Sequence, residues 1–317
     1  MHACPEDIDK YRGRYREGWD ALRAGRHEQL KALGILDPHW DISPRDADAP
    51  PRSDVAQTDW EHARMATCAA MVDRVDQNIG RIIDNLPAHV ELDNTLIVFL
   101  SHNGGCAEPV GVGSRAMEIQ STRDGRPMHL GNRTDLEPGS PDTFMSYDLP
   151  WANASNAPFR RFKHWGHEGG IATPFVAHWP KGLDAGTVGH SPCHLVDITA
   201  TVYDVAGAAY PDERHGKRLI PLEGESLMPL LRGASWRRSQ PIGFEHEGSG
   251  AWRDGRLKLV GRYPGEWELY DMINDRTERN DLAGRYPDTV KTLSAAYQAW
   301  ADRCGVLPWH VVCQPRR

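Results

Sequence analysis

The sequence predicts an α/β protein with a small antiparallel sheet-and-helix piece towards its C-terminal end, and three observations carry that prediction. A long apolar stripe at helical spacing, Met65 to Leu86, leads into a short, continuously apolar, β-rich run, Thr95-Leu-Ile-Val-Phe-Leu. A second run of the same kind is Phe175-Val-Ala-His-Trp. Beyond residue 236 the pattern changes to short strands joined by turn signals. Composition permits such a fold: the 317 residues are 39% hydrophobic and 26% charged, values of a globular chain with a real core. The length allows one large domain or two unequal ones. With 37 Lys+Arg against 44 Asp+Glu, the net charge of −7 argues against a generic nucleic-acid binder. The apolar runs are far short of a bilayer span, so no membrane role is expected. Met-His-Ala-Cys-Pro-Glu-Asp has neither a basic n-region nor an apolar h-region, so no secretory signal is expected in it, and localisation is left unassigned. Six scattered cysteines without a C-x-x-C pair predict reduced thiols rather than a disulfide scaffold or a zinc ribbon.

The elements follow in order. Trp19, Leu22, Leu30 and Leu33 predict a helix that stops at Gly34. Pro38 to Pro51 is polar and rich in Pro and Asp, and reads as a surface loop. A long helix comes next, capped by Asp59 and ended by Pro87. Its apolar face holds Met65, Cys68, Ala69, Val72, Val75, Ile79, Ile82, Ile83 and Leu86. Thr95 to Leu100 shows no alternation, so it reads as a strand covered on both faces, as in a parallel sheet. That strand runs straight into Ser101-His102-Asn103-Gly104-Gly105. Ligands of open α/β sheets sit beyond the carboxyl ends of strands, which makes this cluster a site candidate. Residues 106 to 162 lack periodicity, and long segments of that kind in compact domains are often functional. Leu195 to Ala206 predicts a helix. Then come the strands Ile242-Gly-Phe-Glu-His, Ala251-Trp-Arg, Leu257-Lys-Leu-Val and Trp267-Glu-Leu-Tyr, with Asp254-Gly255 as a hairpin turn. An amphipathic helix from Pro287 to Arg303 closes the series. The expected division is an α/β body over 1–235 and an antiparallel β-plus-helix subdomain over 236–317.

Three clusters could carry chemistry, and each also has a plain structural reading. In Ser101-His102-Asn103-Gly104-Gly105, imidazole and amide oxygen can ligate a metal and the glycines let backbone approach an anion. A strand-end turn explains the same residues. In Lys163-His164-Trp165-Gly166-His167-Glu168-Gly169-Gly170, a Lys beside a glycine-rich turn is an anion grip. His164 and His167 stand at i, i+3, though the order is not that of H-E-x-x-H. A solvated loop with packed imidazoles fits equally well. Glu245-His246-Glu247 could tune an imidazole, or be an exposed strand with alternating polar residues. Cys313-Gln-Pro-Arg-Arg317 formally fits C-x-P-x-R but ends the chain, where it cannot cap a helix for an anion.

Taken together, four stretches resemble the sulfatase family, in its arylsulfatase branch of the alkaline-phosphatase-like superfamily. They are Pro5 to Asp20; Leu92 to Glu108, through Ser-His-Asn-Gly-Gly-Cys-Ala-Glu; Trp151 to Pro174, through Phe-Lys-His-Trp-Gly-His-Glu-Gly-Gly; and Trp267-Glu-Leu-Tyr-Asp-Met with Thr277-Glu-Arg-Asn-Asp-Leu. The resemblance runs from about residue 2 to Trp309. It implies an alkaline-phosphatase-like sheet with flanking helices, and hydrolysis of small-molecule sulfate esters by a formylglycine hydrate beside a divalent metal, calcium most of all. Carried over residue by residue, Asn103 matches a metal-ligating Asn. Lys163 matches the sulfate-binding Lys, which is both catalytic and substrate-binding, and His167 is a further substrate-binding residue. His102 stands where the family has a metal-ligating Asp, a soft neutral nitrogen in place of a carboxylate. The formylglycine motif, the N-terminal Asp ligands and the family's sulfate-site histidine would precede Met1, so residues 1–235 would be the C-terminal part of the catalytic domain. Two other readings stay open: an anion-binding or vestigial protein without turnover, and a phosphodiesterase or phosphonate hydrolase of the same superfamily. With the sheet's other strands missing, open edges and bare helix faces are expected.

Overall fold

The computed structural model describes residues 1–86, 91–111 and 120–313. The chain divides into two compact units, one made of residues 1–88, 103–172 and 274–280, the other of 89–102, 173–273 and 281–317.

In the first unit, helix α1 (Pro5–Tyr11) packs along α3 (Thr58–Asp84), and α2 (Gly18–Ala32) packs on α4 (Asp148–Ser155). α2 forms where its apolar spacing predicted, with Gly34 beyond its end at φ +71°. α3 is there too, but Gln57 stands at its N-cap, and Asp59 and Glu61 occupy the first turn. Both acids still face the positive end of the helix dipole. Pro87 lies outside the described residues. Trp19, Trp151 and Ala154 form the centre of this unit, with the two indoles edge-to-face at 5.3 Å. Arg23 is buried too, donating to Asn153 Oδ1 at 2.7 Å and to the Ser43 carbonyl at 2.8 Å. The segment 38–51 is a loop, as predicted, but not a surface one: Trp40, Ser43, Asp46 and Ala49 are buried. Its polar residues are there to pair, since Asp46 accepts from Arg161 at 2.9 Å. α4 was hidden in the aperiodic segment. Trp151, Ala152, Asn153 and Ala154 are all buried, and a helix enclosed on all sides shows no amphipathic period. A two-residue parallel pair joins β2 (His129–Leu130) to β3 (Thr143–Phe144). The short helix α5 (Glu168–Ile171) completes the unit.

In the second unit, β1 (Ile97–Leu100) and β4 (Phe175–His178) form where their apolar runs predicted, but as an antiparallel pair with Phe99 opposite Val176. A continuous apolar run reports burial, not strand direction, so the parallel expectation had no independent support. α6 (Val196–Val205) matches its prediction and is followed by the β5 (Glu213–Arg214) and β6 (Lys217–Arg218) hairpin and the turn of helix α7 (Met228–Leu231). The antiparallel sheet β10-β9-β8-β7 is built from Ile242–His246 (β7), Ser249–Asp254 (β8), Leu257–Gly261 (β9) and Trp267–Asp271 (β10). Gly255, φ +53°, makes the predicted turn between β8 and β9. α8 (Pro287–Arg303) lays Leu293, Tyr297 and Ala301 on that sheet against Trp252, Leu259 and Leu269. A last turn, α9 (Trp309–Val312), follows. The six cysteines are unbridged. No described helix is long and apolar enough to cross a membrane.

Several faces stay bare, as the reading of the sequence expected. On α3, Val72 and Ile82 are each 66% exposed. On the β1–β4 pair, Phe99 and Val176 are exposed, and on α6 so are Val202 and Val205.

Candidate functional site

The first unit brings Asn103-Gly104-Gly105 and the lysine cluster together. Gly104 N–H donates to the Gly170 carbonyl at 2.9 Å, and Lys163 N–H donates to the Gly105 carbonyl at 3.0 Å. Gly105 N–H donates to Asn156 Oδ1 at 2.8 Å, while Asn156 Nδ2 donates to the Arg161 carbonyl at 3.1 Å. Two loops separated by sixty residues of sequence are thus joined backbone to backbone, with Asn156 as a side-chain bridge. The glycines are what allows it. A Cβ on Gly104 would collide with the Gly169 carbonyl oxygen, and one on Gly169 would collide with the carbonyls of Arg160 and Arg161. Arg161 and His164, flanking Lys163, are non-glycine residues at φ +66° and +83°. Strained residues of this kind persist only where the surroundings hold them, and they gather at functional sites.

Lys163 Nζ donates to Glu108 Oε1 at 2.8 Å, and His164 Nε2 makes a short contact to the same oxygen. The lysine, and then the imidazole, hold the Glu108 carboxyl well below its ordinary value, at about 2. The side chains of Lys163 and His164 are 35% and 33% exposed and that of Glu108 is 51% exposed, so the group faces solvent. Lys163 thus has a partner anion supplied by the protein itself. Glu108 belongs to the Gly-Gly-Cys-Ala-Glu stretch and was given no role from the sequence. The signal was a lone acid three residues after two glycines, which nothing in composition distinguishes from a loop residue.

Asn103 is half-buried, and its Nδ2 donates to the Gly104 carbonyl at 2.7 Å. His102, the residue before it, is exposed. His167 is 1% exposed and lies edge-to-face with Trp165 at 5.7 Å. Beneath the loop, Glu168 is also buried and accepts from Arg276 Nε at 2.8 Å. Its own N–H donates to Glu278 Oε2 at 3.0 Å. The Arg276 guanidinium lies over the Phe159 ring at 4.9 Å. This inner layer fixes the loop that carries Lys163. Elsewhere, Glu245 accepts from Gly248 N–H at 2.8 Å and holds the β7–β8 turn, which gives that residue of the Glu245-His246-Glu247 cluster a structural task. Of Cys313-Gln-Pro-Arg-Arg317, all but Cys313 lies outside the described residues.

The donor set can be weighed against a hard cation. Calcium takes six to eight oxygen ligands, carboxylates among them. Asn103 offers one amide oxygen and His102 one nitrogen, and the carboxylate of the same loop, Glu108, is engaged by Lys163. These residues alone do not fit a calcium site.

The mixed helix-and-sheet architecture, with its C-terminal antiparallel sheet, has the alkaline-phosphatase-like fold. The crystal structure of Ps i-CgsB, also solved in complex with k-i-k-neocarrahexaose, superposes at a TM-score of 0.52 with 22% identity, covering 89% of this chain and 54% of that one. A family model described as Sulfatase matches residues 1–208, and one described as N-sulphoglucosamine sulphohydrolase, C-terminal, matches residues 160–298. A sulfatase of Schizosaccharomyces pombe is 31% identical over 317 residues, 97% of this chain and 56% of that protein. An arylsulfatase of Klebsiella aerogenes is 29% identical over 236 residues, 73% of this chain and 48% of that protein. The chain belongs to the sulfatase family. It spans about half the length of these relatives.

Proposed function

We propose that this chain carries the sulfate-gripping part of a sulfuric ester hydrolase acting on small-molecule sulfate esters. One observation carries the reading. The backbone hydrogen bond from Lys163 to Gly105, at 3.0 Å, places the lysine on the strand-end loop of Asn103, with a carboxylate already on its ammonium. An ammonium held there neutralises one oxygen of a tetrahedral anion. Asn103 stands two residues before Gly105 in that loop, with its Nδ2 on the Gly104 carbonyl. His102 and Asn103 are the metal-side residues of the proposal, and a calcium ion there would need oxygen ligands beyond them. His167, enclosed by Trp165, would reach a sulfate only from inside the loop, so its first contribution is to seat that loop.

The nucleophile is the missing part of this assignment. The described residues hold charge and position, which lower the barrier only where they act more strongly on the transition state than on the substrate. The reading therefore assigns the formylglycine to sequence other than these 317 residues. The experiment is hydrolysis of an aryl sulfate by this chain alone and by the product of its coding sequence extended in frame upstream of Met1. The chain alone is expected to show no rate above the protein-free control. The extended protein is expected to turn over and to lose about 10²–10³-fold on Lys163→Ala, the scale for removing one charge-stabilising donor. Turnover by the 317 residues alone, or an extended protein indifferent to Lys163→Ala, would overturn it.

A further inference from the structure

We propose that Glu108 is a built-in competing anion: its carboxylate occupies the Lys163 ammonium and the His164 ring nitrogen, and an incoming sulfate binds by displacing it. The inference rests on the sulfate-ester reading of this loop pair and goes beyond it, because it makes Glu108 a determinant of affinity that the reading itself does not contain.

Three features carry it. The Lys163 ammonium and the His164 ring nitrogen meet the same carboxylate oxygen, Oε1, so one oxygen of the occupant takes both contacts, as an oxygen of a sulfate would. The loops do not need the Glu108 side chain to hold their shape. Gly104 to Gly170, Gly105 to Asn156 and Lys163 to Gly105 are hydrogen bonds of other residues. The carboxylate can therefore leave while its partners stay in place. It also has somewhere to go, since half of its side chain is already in solvent. Charge completes the argument. A sulfate ester carries one negative charge, so its exchange for the Glu108 carboxylate leaves the charge at Lys163 unchanged. The ester recovers what the departing carboxylate gives up, and the released carboxylate regains its hydration. Each such contact is modest at a half-exposed site, which makes the occupant displaceable rather than locked.

The test is equilibrium binding of inorganic sulfate, by calorimetry, to the 317-residue chain and to Glu108→Gln. Gln keeps the volume and removes the charge. Removing a competing half-exposed ion pair is expected to tighten sulfate about fivefold, the upper range for such pairs. Glu108→Ala should gain as well, which guards against a new contact made by the amide. Adding Lys163→Ala to Glu108→Gln should abolish the gain. The proposal falls if Glu108→Gln binds sulfate no more tightly than the parent. It falls too if the gain survives loss of Lys163, or if neither protein binds sulfate. Ester turnover judges the hydrolase reading separately: a gain on Glu108→Gln without turnover keeps the competition and sinks the hydrolase. Turnover without that gain does the reverse.

Discussion

Gly104→Ala should cost about 3–5 kcal/mol, although it adds a single methyl group to a helix-neutral, loop position. The figure comes from what the methyl meets. It would fall on the Gly169 carbonyl oxygen, and that oxygen belongs to backbone that cannot turn aside as a side chain could. Relief requires the two loops to part. Parting breaks the hydrogen bonds from Gly104 to Gly170 (2.9 Å) and from Lys163 to Gly105 (3.0 Å). Each is worth about 1 kcal/mol net, and overpacking adds about 1–3 kcal/mol. Gly25→Ala supplies the control. Gly25 sits inside α2 with open space where a Cβ would go. There the same methyl should stabilise by about 0.5–1 kcal/mol through helix propensity. Urea unfolding of the two variants and the parent checks both signs, read as midpoints at constant slope. A Gly104→Ala protein within about 0.5 kcal/mol of the parent, near the scatter of surface substitutions, would refute the close approach of the two loops.

Other outcomes follow from buried groups and charges. Trp151→Ala, removing a fully buried indole from the centre of the first unit, should cost about 3–5 kcal/mol in the same assay. Asn153→Ala leaves the buried Arg23 without the acceptor it reaches at 2.7 Å and should cost about 1–3 kcal/mol. Glu108 has a depressed folded value of about 2 against an ordinary 4.5. Its ion pair therefore contributes fully above about pH 4.5 and is lost as pH falls toward 2. Because its side chain is 51% exposed, the contribution is at most about 1 kcal/mol, and Glu108→Gln should flatten stability by that amount across this window. His194 is shifted downward by burial, with Arg238 adding to the effect against Asp197. The folded state thus resists its protonation, and stability should decline as pH falls below about 6.5, a slope that His194→Gln should reduce in pH-dependent denaturation.

The sequence was most readable where one period governs a whole element. α3 and α8 carry apolar stripes at helical spacing, and β8 and β9 are joined by a turn whose glycine has the required positive φ, so all three were legible. The pairing of Lys163 with the Asn103 loop was legible only through resemblance, because it depends on backbone hydrogen bonds between segments sixty residues apart. The glycines could be seen, but not which carbonyls they would approach. α4 was invisible because burial on all sides erases periodicity. The loop around Trp40 misled for a related reason. Its polar residues pair inside the protein with Arg23 and Arg161, and composition records polarity without recording partners. Glu108 was missed because an acid in a loop has no local signature. Its role comes from the lysine and the imidazole that another segment brings to it.

The bare apolar faces give the last prediction. Val72 and Ile82 lie on the α3 stripe that the sequence reads as buried, yet each is 66% exposed. Phe99 and Val176 face each other on a two-stranded sheet whose residues, His178 apart, are apolar on both sides. Two strands alone are marginal in water, and stable sheets of this class cover both faces. The stripe therefore encodes a contact that the described residues do not make. The energetic consequence is sharp. A Val or Ile truncated to Ala in a core costs about 2–5 kcal/mol, whereas an exposed one costs within about 0.5 kcal/mol. In this chain as a monomer, Val72→Ala and Ile82→Ala should each fall in the second range, measured by urea unfolding at several protein concentrations. In the upstream-extended protein that the hydrolase reading calls for, the same substitutions should move toward the first range. Core-sized costs already present in the 317-residue chain at every concentration would mean that α3 is covered within this chain, contrary to the exposure of Val72 and Ile82. Costs that grow with concentration would instead place a second copy on that face.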